Sequence, residues 1–310
     1  MDKNSVAWRG YLPAITTPFD RSGALDEAAL GRLVEWLVAQ GMHGLVLAGT
    51  SGEWFSLTLE EKGRLFRTAA RHAAGRLPLV AGCTAFTPRE VLDAARVAHD
   101  AGMDGILVTP PPYVVPSDDE IVAFYAAISA ASPLPICVYN WPPGTNVDMS
   151  LPVLAKVAAL DKVVAIKNST SNLTRFCESF FALKDVVRIF GVVTDEIGLS
   201  LVQHHGLDGM MGAGGVLGRD HPGVFEAVWR GDLPTARDLL AGERRTIREW
   251  FESDLTGRFG SAQAILKEAL NAQGLPGGHV RAPILPVSPE GARAIRRTLR
   301  ELGKRVDDAA

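Results

Sequence analysis

Val163-Val164-Ala165-Ile166-Lys167-Asn168-Ser169 decides how the chain is read, because an apolar run ends in a lysine and passes directly into a polar turn. Helical periodicity from Asn172 to Leu183 follows, so the segment is a strand, a turn and a helix in succession. Strict alternation places Val163, Ala165 and Lys167 on one face of that strand. An exposed lysine titrates near about 10.4 and is neutral in about one molecule in 2,500 at pH 7. Burial among valine and alanine disfavours the ammonium and so prepares a nucleophilic amine. On this run alone, a structural lysine that snorkels outward is the alternative.

The same unit recurs along the chain. Short apolar runs occupy Leu12 to Thr16, Gly44 to Ala48, Leu79 to Cys83, Gly105 to Val108, Ile136 to Tyr139, Val163 to Lys167, Val186 to Phe190 and Gly209 to Met211. Between them lie amphipathic segments such as Asp26 to Gln40, Thr58 to Ala74, Pro88 to Ala101 and Ser117 to Ala131, several of which open on a capping residue. Strand and helix in alternation imply an α/β protein with a parallel sheet, and eight such units before about residue 230 predict a (β/α)8 TIM barrel. After His221 the pattern is helical only: about Pro222 to Trp229, Leu233 to Ser253, Ala262 to Ala272 and Pro289 to Leu302. The expected organisation is a barrel over 1–230 and a C-terminal helical extension over 231–310 packed on it, which can also serve as an oligomer surface.

With 47% hydrophobic and 22% charged residues and a net charge of -3, the chain is globular and has no basic excess to hold a nucleic acid. The first residues form no apolar leader and no later run is long enough to span a bilayer, which predicts a cytoplasmic protein with no membrane partner. Cys83, Cys137 and Cys177 lack C-x-x-C spacing, so a disulfide framework is not expected. Adjacent His204 and His205 face different directions on a helix, and the loop Gly212-Ala213-Gly214-Gly215 has Leu217 where a third dinucleotide-binding glycine belongs. Neither a metal nor another cofactor is expected.

In a barrel, chemistry sits where strands end. The second strand ends in Gly49-Thr50-Ser51-Gly52-Glu53, the fifth in Tyr139-Asn140-Trp141-Pro142 and the sixth in Lys167-Asn168-Ser169. Hydroxyls and loop amides at Gly49, Thr50 and Ser51 make a charge-neutral cradle for a carboxylate, adding no cation beside Lys167. A capped turn with Glu53 in the first turn of a helix is the structural alternative. Tyr139 lies at the depth of Lys167 if the fifth and sixth strands are neighbours, with Cys137 also inward and Ile136 and Val138 outward. A phenol there can relay the protons that imine formation requires. Trp141, beside it, lines a pocket or braces the prolines that follow.

These residues, with Thr16-Thr17-Pro18-Phe19 and Ile166-Lys167, resemble the pyruvate-dependent class I aldolases of the dihydrodipicolinate synthase and N-acetylneuraminate lyase family. The resemblance covers Tyr11 to about Leu302 and rests on order and spacing together. It implies that Lys167 forms an imine with a 2-oxo acid, that Tyr139 and Thr50 move protons, and that Thr50 and Ser51 hold the carboxylate, with Gly49 and Gly212 in the substrate-binding wall. It further implies pyruvate and an aldehyde as small-molecule partners and self-association as a homotetramer. A tyrosine from a neighbouring subunit completes the relay in synthases; here Tyr113, in Thr109-Pro110-Pro111-Pro112-Tyr113, is displaced by about a residue from that place.

Departures from the pattern narrow the substrate. Synthases carry, after the fifth-strand tyrosine, an arginine that binds the carboxylate of the aldehyde, and Gly144 stands there in this chain. Asp195-Glu196 resemble an acidic pair with which sialic acid lyases bind hydroxyls, whereas Ala213 replaces a serine those lyases use. Acids favoured by the start of a helix are the plainer account of Asp195 and Glu196. The expectation is an aldolase for a 2-oxo-3-deoxy sugar acid. A dehydratase of such acids through the same imine, a dihydrodipicolinate synthase, and a catalytically silent 2-oxo-acid binder are the alternatives.

Overall fold

The computed structural model describes residues 1–252 and 256–307. Eight parallel strands form its centre: β1 (Gly10–Tyr11), β2 (Leu45–Leu47), β3 (Leu79–Gly82), β4 (Gly105–Val108), β5 (Ile136–Asn140), β6 (Val163–Asn168), β7 (Arg188–Phe190) and β8 (Gly209–Met210). Each pairs with its sequence neighbour from β2 onward, and β1 pairs with β8. Closure comes from the residues just after β1. The amide of Ile15 donates to Val46 O at 3.0 Å, and the amide of Val46 donates to Pro13 O at 2.9 Å. Pro13 has no N–H to give, so the regular ladder stops before it: β1 lies just ahead of the expected Leu12 to Thr16, where an isolated bridge at Ala14 carries the pairing on. The ring is closed all the same, which makes the fold the expected (β/α)8 barrel.

Helices alternate with the strands: α1 (Glu27–Ala39), α2 (Leu59–Ala73), α3 (Pro88–Asp100), α4 (Asp118–Ala131), α5 (Pro142–Thr145), α6 (Leu151–Ala158), α7 (Leu173–Leu183), α8 (Glu196–Ser200) and α9 (Asp220–Trp229). Their starts follow local chemistry. Thr58, Thr87 and Ser117 each cap a helix through the side chain and in return donate their backbone N–H to the carboxylate of the glutamate three residues on, which fixes where α2, α3 and α4 begin. The helices bury one face against the outward side chains of the strands, Ile106, Ile136, Val138 and Ile166 among them. No helix of the described residues is long and apolar enough to cross a membrane.

The barrel interior is a separate, smaller core containing Trp8, Val46, Val80, Leu107, Cys137 and Ala165. Leu107, Cys137 and Ala165 are register partners across β4, β5 and β6, so they form one layer of the filling. Strict alternation fails at one place in β6. A bulge opposite Ile136 and Cys137 skips Val164, so that Val163 packs outward while both Val164 and Ala165 join the interior. Val163 therefore does not share the face of Lys167, but the extra residue leaves Ala165 and Lys167 aimed inward as expected.

Three more helices complete the chain: α10 (Leu233–Trp250), α11 (Ala262–Asn271) and α12 (Pro289–Glu301). The expected end of α10 at Ser253 lies outside the described residues, as do 308–310 of the extension. The α11 helix docks on the strand-end face of the barrel. Lys267 forms a fully buried ion pair with Glu53, its ammonium also donates to His279 O at 2.6 Å, and Gln263 Nε2 donates to Thr50 O at 2.9 Å.

Candidate active site

Tyr139 and Lys167 are register partners on β5 and β6, one repeat beyond the Cys137 and Ala165 layer toward the strand ends. Their backbone is braced from behind. Asn140 Nδ2 donates to Asn168 Oδ1 at 3.0 Å and to Asp148 Oδ1 at 2.9 Å, its Oδ1 accepts from the Met149 amide at 3.1 Å, and Asn168 Nδ2 donates to Ser179 Oγ at 2.9 Å. This buried amide network locks the two strand ends side by side. The asparagines that follow Tyr139 and Lys167 are thus explained by positioning.

Lys167 is 9% exposed, and its Nζ lies 4.1 Å from the centre of the Tyr139 ring. Burial lowers its pKa from 10.5 to about 8, with the Cys137 thiol as its titratable neighbour. That thiol is itself pushed up to about 12 by burial, so it stays neutral at pH 7. The Tyr139 phenol is raised by burial, and hydrogen bonding by the Ser169 and Thr50 hydroxyls offsets part of the rise. The phenol is therefore a neutral proton carrier set between two alcohols and next to the amine.

Gly49, Thr50, Ser51, Tyr139, Lys167 and Gly212 all line one cavity of about 390 Å³. Six of the expected residues thus converge. The loop after β2 owes its shape to Thr17, whose Oγ1 donates to Gly52 O at 2.7 Å, and to left-handed Glu53. Gly212 is required by contact: a Cβ there would sit 2.2 Å from the Tyr11 phenol oxygen.

Three expected residues lie elsewhere. Asp195 caps α8, accepting from the Gly198 amide at 3.0 Å, and it lines a neighbouring cavity that shares Trp141, Ser169 and Val192 with the first. Glu196 is held at the surface by Arg237, with contacts of 2.9 to 3.1 Å from two guanidinium nitrogens. The helix-start account describes both acids better than binding of a polyol beside Lys167. Tyr113 is 89% exposed with φ of 74°, and it does not line the Lys167 cavity of its own chain.

Some lining residues escaped the sequence reading. Ser169 follows the Lys167-Asn168 pair and stood in plain view as part of the strand end. Glu243, Thr246, Ile247 and Trp250 come from α10 and Gln263 from α11. Their spacing marks one face of a helix, but only docking shows which part of the barrel that face meets. Trp141 stacks on Tyr139, with ring centres 6.1 Å apart and planes 8° from parallel. Its ring also fills the space over Gly144, where a Cβ would come within 2.3 Å of it.

The model of the dihydrodipicolinate synthetase family matches residues 7–302. A 4-hydroxy-tetrahydrodipicolinate synthase of Phenylobacterium zucineum is 36% identical over 299 residues, covering 96% of this chain and 98% of that one. The crystal structure of a chloride-inhibited dihydrodipicolinate synthase from Acinetobacter baumannii complexed with pyruvate superimposes with a TM-score of 0.86 at 27% identity, over 96% of this chain and all (100%) of that one. The fold is shared as well by an N-acetylneuraminate lyase from Mycoplasma synoviae, with a TM-score of 0.83 at 22% identity, covering 97% of this chain and 100% of that one.

Proposed function

The chain belongs to the dihydrodipicolinate synthetase family, whose members are class I aldolase-type lyases, and from that premise we propose that Lys167 forms an imine with pyruvate, or with a 2-oxo acid that contains it, and makes or breaks the bond from its C3 to an aldehyde carbon. The observation that carries the proposal is the buried amine of Lys167 against the ring of Tyr139. The neutral amine attacks the ketone carbon, and Tyr139 passes a proton to the carbinolamine hydroxyl, which leaves as water. Loss of a C3 proton then gives the enamine. In the forward direction C3 bonds to the aldehyde carbon, the aldehyde oxygen takes up a proton, and water hydrolyses the imine to return the amine. In reverse, the same imine accepts the electron pair of the broken bond. The hydroxyls of Thr50 and Ser51 and the loop amides hold the carboxylate without placing a second cation near Lys167.

The sugar-acid expectation loses its footing in Asp195 and Glu196, since one caps α8 and the other is bound by Arg237. The names of the relatives favour a synthase as second reading. Against it stands Gly144, covered by Trp141, where the resemblance places the arginine for the carboxylate of the aldehyde. Tyr113, with Val114 and Val115 beside it at the surface, is assigned in this proposal to a contact between subunits of a homotetramer.

Proton exchange at C3 tests the imine independently of the aldehyde. Pyruvate in D2O should lose its methyl proton signal when the protein is added, and Lys167→Met should abolish the loss. Absence of exchange with the unaltered protein would overturn the proposal.

A further inference from the structure

One wall of the Lys167 cavity is a face of α10 on which Glu243, Thr246, Ile247 and Trp250 recur at helical spacing. Glu243 is out of keeping with its surroundings. Its side chain is only 12% exposed, and its Oε2 lies 3.0 Å from His221 Nδ1. His221 Nε2 accepts from the Leu217 amide at 3.1 Å, so the hydrogen-bond network assigns the ring proton to Nδ1, which donates to the carboxylate. Among the described residues, His221 is the partner that holds this carboxylate. It is fixed in orientation from behind and presented at the cavity wall.

Much of the cavity around it is apolar, with Trp141, Val192, Met211, Val216, Ile247 and Leu266, while Thr246, Gln263 and Ser169 add neutral polar groups. Among the described lining residues Lys167 is the single basic side chain and Glu243 the single acidic one. A cavity of this kind rejects two of the chemistries considered for the aldehyde. A carboxylate would face Glu243 with no cation to meet it, because the one basic group is consumed in the imine. A polyol would set part of its hydroxyl surface against this carbon, a cost that an apolar ring does not bear.

Resting on the imine reading above, we propose that the aldehyde partner is an apolar, ring-sized molecule bearing one hydrogen-bond donor, that it carries no carboxylate, and that Glu243 is the residue that reads the donor. The stacked pair of Tyr139 and Trp141 supplies a flat aromatic wall for such a body, and Gly144 is what allows Trp141 to lie there. His221 acts as a positioning residue through Glu243.

The test uses the full chain with pyruvate and, in turn, benzaldehyde, 3-hydroxybenzaldehyde, 4-hydroxybenzaldehyde, glyceraldehyde and succinic semialdehyde, with pyruvate consumption as the readout. A hydroxylated ring should exceed benzaldehyde by about 10- to 100-fold in kcat/KM, the worth of a hydrogen bond to a buried charge. Glyceraldehyde and succinic semialdehyde should fall below benzaldehyde. In Glu243→Gln the ratio between hydroxylated and plain rings should shrink by about five- to tenfold, mostly through KM, because a neutral acceptor replaces a charged one. If that variant does not fold, the ratios of the unaltered protein decide alone. Preference for glyceraldehyde or succinic semialdehyde overturns the inference while methyl exchange of pyruvate leaves the imine standing. Absence of exchange removes both.

Discussion

The pH dependence of pyruvate exchange should report a lysine that titrates far below its ordinary range. Burial brings Lys167 from 10.5 to about 8, which corresponds to a preference of about 3 kcal/mol for the neutral amine over that of an exposed lysine. At pH 7 about one molecule in 11 then carries a free nucleophile, against about one in 3,000 without the shift, a gain of about 300-fold in reactive enzyme. The sign follows from which form attacks. Below the pKa the ammonium predominates and has no electron pair to give, so activity falls about tenfold for each pH unit lost. Above it the amine is already neutral and further base adds nothing. Methyl exchange at subsaturating pyruvate, followed by proton NMR from pH 6 to about 10, should therefore rise to a half-maximum near pH 8 and then level off, because this condition reports the free enzyme. The Tyr139 ring face, 4.1 Å from the ammonium, favours the charged form and so limits how far the pKa falls. A profile still climbing at about pH 10 would show an ordinary lysine and refute the reasoning from burial.

Other perturbations probe single contacts. Tyr139→Phe keeps the ring against Lys167 and Trp141 but removes the phenol, so kcat for exchange should drop by about 100-fold or more at unchanged thermal stability; a drop of less than about threefold would assign proton transfer elsewhere. Gly144→Ala places a methyl 2.3 Å from the Trp141 ring and should cost about 1–3 kcal/mol in urea unfolding, relieved when Trp141→Leu is added; equal costs in both backgrounds would contradict the proposed contact. Lys267→Met leaves Glu53 buried and unpaired, for an expected loss of about 3–5 kcal/mol by the same assay, and Glu53→Gln in the same chain should recover most of it. Loss below about 1 kcal/mol, on the order of a surface pair, would mean that the pair does not hold α11 to the loop after β2.

Much of the molecule was legible because its signals are local. Apolar runs of four or five residues bounded by turn chemistry marked most strands within a residue or two, and capping residues such as Thr58 and Ser117 marked helix starts. The meeting of Lys167 and Tyr139 was legible because a polar group at the end of an apolar run is conspicuous and a parallel barrel brings neighbouring strands to one depth. The bulge that turns Val163 outward was not legible, since nothing in the apolar run says which residue the partner strand will skip. The surroundings of Asp195 and Glu196 were not legible for a different reason: an acidic pair at a helix start looks the same whether it binds a ligand, caps α8 or, like Glu196, meets an arginine 41 residues on. Glu243 and Trp250 went unnoticed because the docking of α10 over the strand ends is a tertiary event. A carboxylate on the apolar face of an amphipathic helix was the one trace of it in the sequence.

Reductive trapping addresses the central claim most directly. The protein is incubated with pyruvate and sodium borohydride, digested, and each lysine peptide is weighed. The predicted result is a pyruvate-derived mass on the peptide that contains Lys167 and on no other, absent when pyruvate is left out. An unmodified Lys167 peptide, or label spread over surface lysines such as Lys156, would contradict it.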